Sequence, residues 1–274
     1  MADNSFEFFP PRTAEGKAKL RATWQELAKL KPRFFSCTYG AGGSTRDGTL
    51  ETVMEIREAG HAAAPHISCV ASTRKDILEQ LERYKANGIR HLVALRGDLP
   101  SGLAAAGEFR YAADLVAFIR QTSGDWFHIE VACYPEYHPQ TRNAVDEVRN
   151  FKMKVDAGAN SAITQYFYNA DAYFRFVDEC RAAGLSLPIV PGIMPITNFS
   201  QLARFSDACG AEIPRWMRLK LESYRDDAAA IRAFGLDAVS ALCEKLLAGG
   251  APGLHFYTLN QATLSAEIWR RLKL

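Results

Sequence analysis

A glutamate set among phenylalanines is the first residue of this chain that could do chemistry. Phe6-Glu7-Phe8-Phe9 reads as one strand, and successive strand side chains point to opposite faces. If the phenylalanines pack outward, Glu7 faces the interior of a closed sheet, where partial desolvation raises a carboxyl pKa and suits it to general acid catalysis. The competing reading is an ion pair with an arginine such as Arg12. Asp98 follows Arg96-Gly97 at the end of another expected strand, and the glycine lets a ligand approach the backbone. Its competing role is a turn or helix N-cap aspartate. Thr38, His66, Tyr134 with Glu136 and His138, Gln165, and Tyr257 with Asn260 also fall at expected strand ends. Glu147, Asn150 and Lys154 form a polar stripe on an expected helix over 142–157, whose core side is read as Val145, Val148, Phe151 and Val155. The stripe is either a solvated surface or, behind Tyr134-Pro135-Glu136-Tyr137-His138-Pro139, one wall of a groove for a long polar ligand with phosphates and a ribose.

Other chemistries lack their residues. The first strand has no His-x-His, and the six histidines show no H-E-x-x-H or similar ligand spacing, so no metal site is expected. None of the expected strands carries a lysine for Schiff-base chemistry. The six cysteines are spread singly without C-x-x-C, which reads as buried free thiols in a reducing compartment.

The elements that must position these residues alternate. Short β-branched or aromatic runs at 6–9, 34–39, 64–70, 91–95, 129–134, 162–167, 187–190 and 254–257 read as strands, with helical periodicity between them. The first seven start roughly 25 to 40 residues apart, the length of a parallel βα unit. A longer gap before the last run holds helical segments at 201–209, 215–224 and 227–247. The expected fold is therefore α/β, a (β/α)8 TIM barrel over residues 1–274 as one domain, with extra helices after strand seven. The alternative, an open doubly wound sheet, lacks its dinucleotide fingerprint: Gly40-Ala41-Gly42-Gly43-Ser44-Thr45 ends in Thr where G-x-G-x-x-G needs Gly.

Composition agrees with a folded enzyme. The chain has 274 residues, 48% hydrophobic and 23% charged, and 33 basic against 31 acidic residues leave a net charge of +2. That balance excludes a broad basic surface for nucleic acid or an anionic membrane, so an anionic ligand must be held locally. No window is apolar enough to span a membrane and the N-terminus has no leader pattern, so a cytoplasmic location is expected.

Several strings together resemble the bacterial 5,10-methylenetetrahydrofolate reductase family. They are Ser5-Phe6-Glu7-Phe8-Phe9-Pro10-Pro11-Arg12, Thr38-Tyr39-Gly40-Ala41, Ala64-Pro65-His66, Val93-Ala94-Leu95-Arg96-Gly97-Asp98-Leu99-Pro100, Tyr134-Pro135-Glu136, Lys154-Val155-Asp156-Ala157-Gly158-Ala159-Asn160, Ile163-Thr164-Gln165 and His255-Phe256-Tyr257-Thr258-Leu259-Asn260. The resemblance implies a barrel that holds FAD without a Rossmann domain, takes electrons from NADH, and delivers hydride to methylenetetrahydrofolate to give 5-methyltetrahydrofolate for methionine synthesis. NADH and the folate would take turns at one flavin face. Thr38, His66, Arg96, Gly97, Asp98, Tyr111, Ala112, Tyr134, His138, Glu147, Asn150 and Lys154 would contact FAD. Glu7 would be the general acid that opens the five-membered folate ring, and Asp98 would bind the pterin and stabilise the resulting cation. Gln165, Gln201, Phe205, Tyr257 and Gln261 would line the substrate site with them.

Three positions depart from the pattern. Gln261 stands where Arg usually follows Tyr-Thr-Leu-Asn, Glu147 where Asp is usual, and Met153 where an Arg lies near the adenosine end of the flavin. Weaker FAD retention is expected from the lost cation. No regulatory domain of the animal kind is expected, and the resemblance leaves self-association, NADH against NADPH and polyglutamate preference open. Competing functions are a flavin-free one-carbon transferase, an NADH-flavin oxidoreductase with another acceptor, and a folate carrier without catalysis.

Overall fold

The computed structural model describes residues 3–39, 46–97 and 107–274. Nine strands are β1 Ser5–Phe8, β2 Phe34–Cys37, β3 Ala63–Ser68, β4 His91–Leu95, β5 His128–Cys133, β6 Ser161–Thr164, β7 Ile189–Val190, β8 Gly192–Ile193 and β9 His255–Tyr257. The helices are α1 Ala14–Ala28, α2 Arg46–Glu58, α3 Arg74–Ala86, α4 Ala112–Ser123, α5 Ala144–Asp156, α6 Ala170–Ala182, α7 Phe199–Cys209, α8 Arg215–Ser223, α9 Ala228–Ala248 and α10 Thr263–Leu272. Polar caps start several of them: Thr13, Thr73, Asn143, Asn169 and Asn198 each accept a first-turn backbone N–H, satisfying donors that a helix end leaves free.

All strand pairs are parallel, in the order β7-β6-β5-β4-β3-β2-β1-β9-β8. β7 bonds β6 while β8 bonds β9, and only Pro191 separates the two. Proline has no N–H, so the ladder breaks there, yet its carbonyl accepts from His255 N at 3.0 Å. β7 and β8 are thus two halves of one strand position, and the sheet closes as the expected (β/α)8 barrel. The helices α7, α8 and α9 lie between β8 and β9, as the long gap in the pattern requires.

Alternation sorts the strand residues. Phe6 and Phe8 point outward into the layer between sheet and helices, where Phe6 stacks 5.0 Å from Trp269 and Phe8 lies 5.5 Å from Phe35. Phe34, Ala64, Val93 and Ile163 fill the lumen, packed with Leu95 and Tyr257. Two expectations need correction. Phe9 is exposed, because β1 ends at Phe8 and the chain has already left the sheet. Val145 is also exposed rather than core. The buried side of α5 is rotated onto Glu147 and Phe151, since the Glu147 carboxylate closes the preceding loop by accepting from His138 N at 3.0 Å and Thr141 Oγ1 at 2.8 Å.

Five cysteines are buried, Cys209 is partly so, and all six are free, as expected. Among the described residues no helix is long and apolar enough to cross a membrane. Asp98 and the glycine-rich string at 40–45 lie outside the described residues.

Candidate active site

Glu7 lies in the lumen, where alternation along β1 puts it. Its Oε2 is 3.2 Å from His66 Nε2 on β3 and 3.2 Å from His255 Nε2 on β9, with the Ser36 hydroxyl of β2 donating at 3.5 Å. Arg12 is not its partner. The His255 ring is fixed at its other nitrogen by Ser5 Oγ, 2.7 Å from Nδ1, so Nε2 is placed to donate to the carboxylate. His66 Nε2 is buried and close to Glu7 but out of line for a hydrogen bond, which leaves a polar atom without a partner at the floor of the site. The Thr258 hydroxyl donates to Glu7 O at 2.6 Å and anchors the backbone beneath the carboxyl.

The electrostatics reverse the direction expected from the sequence. Burial on its own would raise the Glu7 carboxyl, but the charge of His66 and the hydrogen bond from His255 outweigh it and hold the group at about 2. Glu7 is therefore an ionised carboxylate between two imidazoles. Glu136, on the loop after β5, shows the opposite balance: burial pushes it up to about 7, although its Oε2 accepts from Glu212 N at 2.7 Å.

Tyr257 lines the same lumen. Its hydroxyl donates to Thr164 O at 2.7 Å, and burial, the Glu7 charge adding to it, raises the phenol well above its usual value. Gly192 makes that placement possible, because a Cβ there would fall 2.2 Å from Thr164 O and 2.6 Å from the Tyr257 ring.

Of the described residues expected to contact FAD, Arg96 and Gly97 follow β4, Tyr134 and His138 follow β5, Tyr111 and Ala112 start α4, and Glu147, Asn150 and Lys154 lie on α5, while His66 lies within β3 and Thr38 follows β2. Lys154 Nζ donates to Ala132 O at 2.6 Å and lies 5.8 Å from the Tyr134 ring centroid, and Tyr134 meets the His138 ring edge-on at 4.7 Å. Arg96 Nη1 donates to Gln140 Oε1 at 2.8 Å in the same loop. Cys69 Sγ lies 3.7 Å from Arg96 O and 3.8 Å from Tyr111 O, joining the ends of β3 and β4 to the start of α4 at Ala112. Gly97 has φ +84°, and a Cβ there would fall 2.0 Å from Ser68 Oγ, so the glycine is required by β3 as well as by any ligand.

Burial lowers the Lys154 ammonium, with Cys133 and Glu147 opposing that and Arg96 adding to it, so the two cations feel one another. The neighbouring Glu147 carboxylate is already engaged by His138 and Thr141. Two cations near enough to feel one another are a donor set that fits the diphosphate of a dinucleotide. Asn150 is exposed on α5, and Thr38, on the far side near β1, donates its N–H to Phe8 O at 2.8 Å.

The expected substrate residues are less tightly assembled. Gln165 turns its Oε1 back onto Tyr166 N at 3.0 Å, and Tyr166 OH is 3.1 Å from Ser206 Oγ on α7, the helix that carries Gln201 and the exposed Phe205. Gln261 lies apart, beside Tyr257 in a cavity of about 180 Å³ that Arg232 of α9 also lines. A larger cavity, of about 510 Å³, is elsewhere, between α6 and the segments leading into β7 and β9. It lies at the N-terminal end of the strands, away from the groups with chemical capacity. His255 was missed by the sequence reading; its signal was the alternation His255-Phe256-Tyr257, which puts it on the face of Tyr257 once the last strand pairs with the first.

A comparison with family profiles matches residues 2–273 to the family described as Methylenetetrahydrofolate reductase. The chain is 44% identical over 269 residues to a protein named 5,10-methylenetetrahydrofolate reductase from Salmonella typhimurium, covering 98% of this chain and 90% of that protein. It is 40% identical over 270 residues to one named Methylenetetrahydrofolate reductase (NADH) 1 from Arabidopsis thaliana, covering 93% of this chain and 46% of that protein. Among solved structures, a protein from Clostridium thermocellum described as binding two copies of 5-methyl-5,6,7,8-tetrahydrofolic acid superposes with a TM-score of 0.68 at 16% identity, over 97% of this chain and 93% of that one. At that identity the likeness is one of fold.

Proposed function

The chain belongs to the methylenetetrahydrofolate reductase family, and from that premise we propose that it reduces 5,10-methylenetetrahydrofolate to 5-methyltetrahydrofolate with electrons from NADH by way of bound FAD. The observation that carries the reading is Glu7, a lumenal carboxylate 3.2 Å from two imidazoles at the floor of a barrel whose adjoining rim bears Arg96 and Lys154. The name of the plant relative supports NADH as the donor.

Arg96 and Lys154 would hold the diphosphate of FAD, Tyr134 and His138 would pack against it, and the start of α4 would offer the Ala112 backbone N–H with Tyr111 beside it. When bound, FAD would supply hydride transfer between NADH and the folate. Glu7 delivers a proton to the departing ring nitrogen, so the methylene carbon becomes a hydride acceptor. An ionised carboxylate is no acid by itself. In this reading the proton reaches Glu7 through the imidazoles of His66 and His255, each 3.2 Å from its Oε2. Asp98 would bind the pterin and stabilise positive charge on it. Gln165, Gln201 and Tyr257 would orient the pterin, and Phe205 would cover it. Arg232, which shares a cavity with Gln261, supplies a cation where the family's arginine is replaced.

The test is NADH oxidation dependent on methylenetetrahydrofolate, with 5-methyltetrahydrofolate identified as the product. Product formed by the flavin-loaded protein and lost in Glu7→Gln supports the reading. NADH oxidation without that product makes the chain an oxidoreductase with another acceptor, and pterin binding without flavin binding makes it a flavin-free folate protein.

A further inference from the structure

At the opposite end of the lumen, parallel pairing of β4 and β5 places His91 beside His128, each the first residue of its strand, with Glu130 one inward-facing position further along β5. His91 Nε2 is 3.1 Å and His128 Nε2 is 3.8 Å from Glu130 Oε1, and the three ligand atoms all lie within 4.8 Å of one another. We propose that this cluster is a binding site for one divalent transition-metal ion, zinc being the ion it suits best, held by His91, His128 and Glu130 with water completing the shell.

The distances suit the ion. Zinc held at about 2.0–2.1 Å in a tetrahedron has ligand atoms about 3.3 Å apart, and the distances of 3.1 and 3.8 Å bracket that value. The second carboxylate oxygen is independent evidence: Glu130 Oε2 is buried and has no hydrogen-bond partner, although the residue is only 2% exposed. A buried carboxylate oxygen left unpaired is costly, and a cation between it and the imidazoles removes that cost.

Charge and access agree. Burial would raise the Glu130 carboxyl, but His91 and His128 more than offset it, so the ligand is ionised. Burial and the charge of His91 lower His128, which favours the neutral imidazole that binds metal. Arg33 and Arg120 are close enough to disfavour charge on His128, and each is paired with a carboxylate, Asp3 and Asp125. The His128 side chain is 35% exposed, which gives an ion a way in. Its Nε2 now sits 2.8 Å from Ser161 Oγ, a contact that metal binding would replace. The Phe34 ring, 4.3 Å from that of His91, lies between the cluster and His255, so the site is separate from the Glu7 end. Pattern searches along the sequence miss it because His91 and Glu130 are 39 residues apart.

The experiment strips the full-length protein with a chelator and titrates zinc in competition with a chromogenic chelator, following Co²⁺ by visible absorption in parallel. One ion per chain is expected, with a Co²⁺ spectrum of a nitrogen and oxygen site. His128→Ala, at the exposed ligand and least disruptive to folding, should weaken binding by at least about 100-fold and abolish the rise in thermal midpoint that zinc gives the parent protein. Glu130→Gln should do the same. Zinc binding absent from the parent, or equally tight in His128→Ala and Glu130→Gln, overturns the proposal.

Discussion

Nε2 of His255 stands 3.2 Å from Oε2 of Glu7, joining residues 248 apart in sequence. The two meet because the barrel closes between its first and last strands, with Ser5 opposite His255 and Glu7 opposite Tyr257 in the β1–β9 register. Closure thus completes the cluster: β1 supplies the carboxylate, β9 one imidazole and β3 the other.

Glu7→Gln keeps the shape and hydrogen-bonding capacity of the side chain but cannot pass a proton. Folate reduction should fall by about 10² to 10⁴, the usual contribution of a general acid, while reduction of the bound flavin by NADH stays near the parent rate. Stopped-flow measurement of each half-reaction separates the two, and an unchanged folate step would remove Glu7 from the role of acid.

The pH dependence of stability tests the trio. Because Glu7 in the folded chain titrates near 2, below its ordinary 4.5, it stabilises the fold above about 4.5 and loses that contribution as pH falls toward 2. His255→Asn weakens the opposition to burial, so the Glu7 pKa rises and the variant is less stable at pH 7 by roughly 1.5–3 kcal/mol, as for a lost hydrogen bond to a charged group. The gap should narrow as pH falls from about 4.5 toward 2 in denaturant melts. A gap independent of pH would mean that His255 does not act through this carboxylate.

Much of this was legible in the sequence for identifiable reasons. The eight strand runs stood out because they are short, β-branched or aromatic, and separated by helical periodicity, and Phe-Glu-Phe fixed the facing of Glu7 by alternation alone. Pro191 hid the division of the seventh strand, since only pairing shows β7 and β8 serving different neighbours. The direction of the Glu7 pKa depended on histidines from two other strands, and no local string carries that. On α5 the valines suggested the core face, but a buried hydrogen-bonding role for Glu147 turned Val145 outward.

Cofactor affinity should depend on the rim cations. Lys154→Met keeps the alkyl length and removes the charge, and flavin binding should weaken by about 10- to 100-fold, the value of one charge-assisted contact. Met153 is exposed on the same helix, so Met153→Arg should tighten flavin binding if the missing cation limits it. Fluorescence titration with FAD measures both, and dissociation constants unchanged by either substitution would remove α5 from the flavin site.

Glu136 carries the opposite linkage to Glu7. Its folded pKa of about 7 lies above the usual 4.5, so folding favours the protonated form and stability falls as pH rises from about 4.5 through 7. Glu136→Gln removes the ionisation and keeps an acceptor for Glu212 N, so it should stabilise the protein at pH 8 by on the order of 1 kcal/mol and leave it little changed at pH 4. Thermal melts at the two pH values decide this; equal effects at both would show that the carboxyl is not desolvated.

In the proposed reaction one flavin serves two substrates in turn over Glu7. The most direct measurement is an anaerobic visible spectrum of the FAD-loaded protein, first mixed with NADH and then with methylenetetrahydrofolate. Bleaching by NADH followed by return of the oxidised spectrum on adding the folate is the predicted result. Bleaching that the folate does not reverse, or protein that binds no flavin, would contradict it.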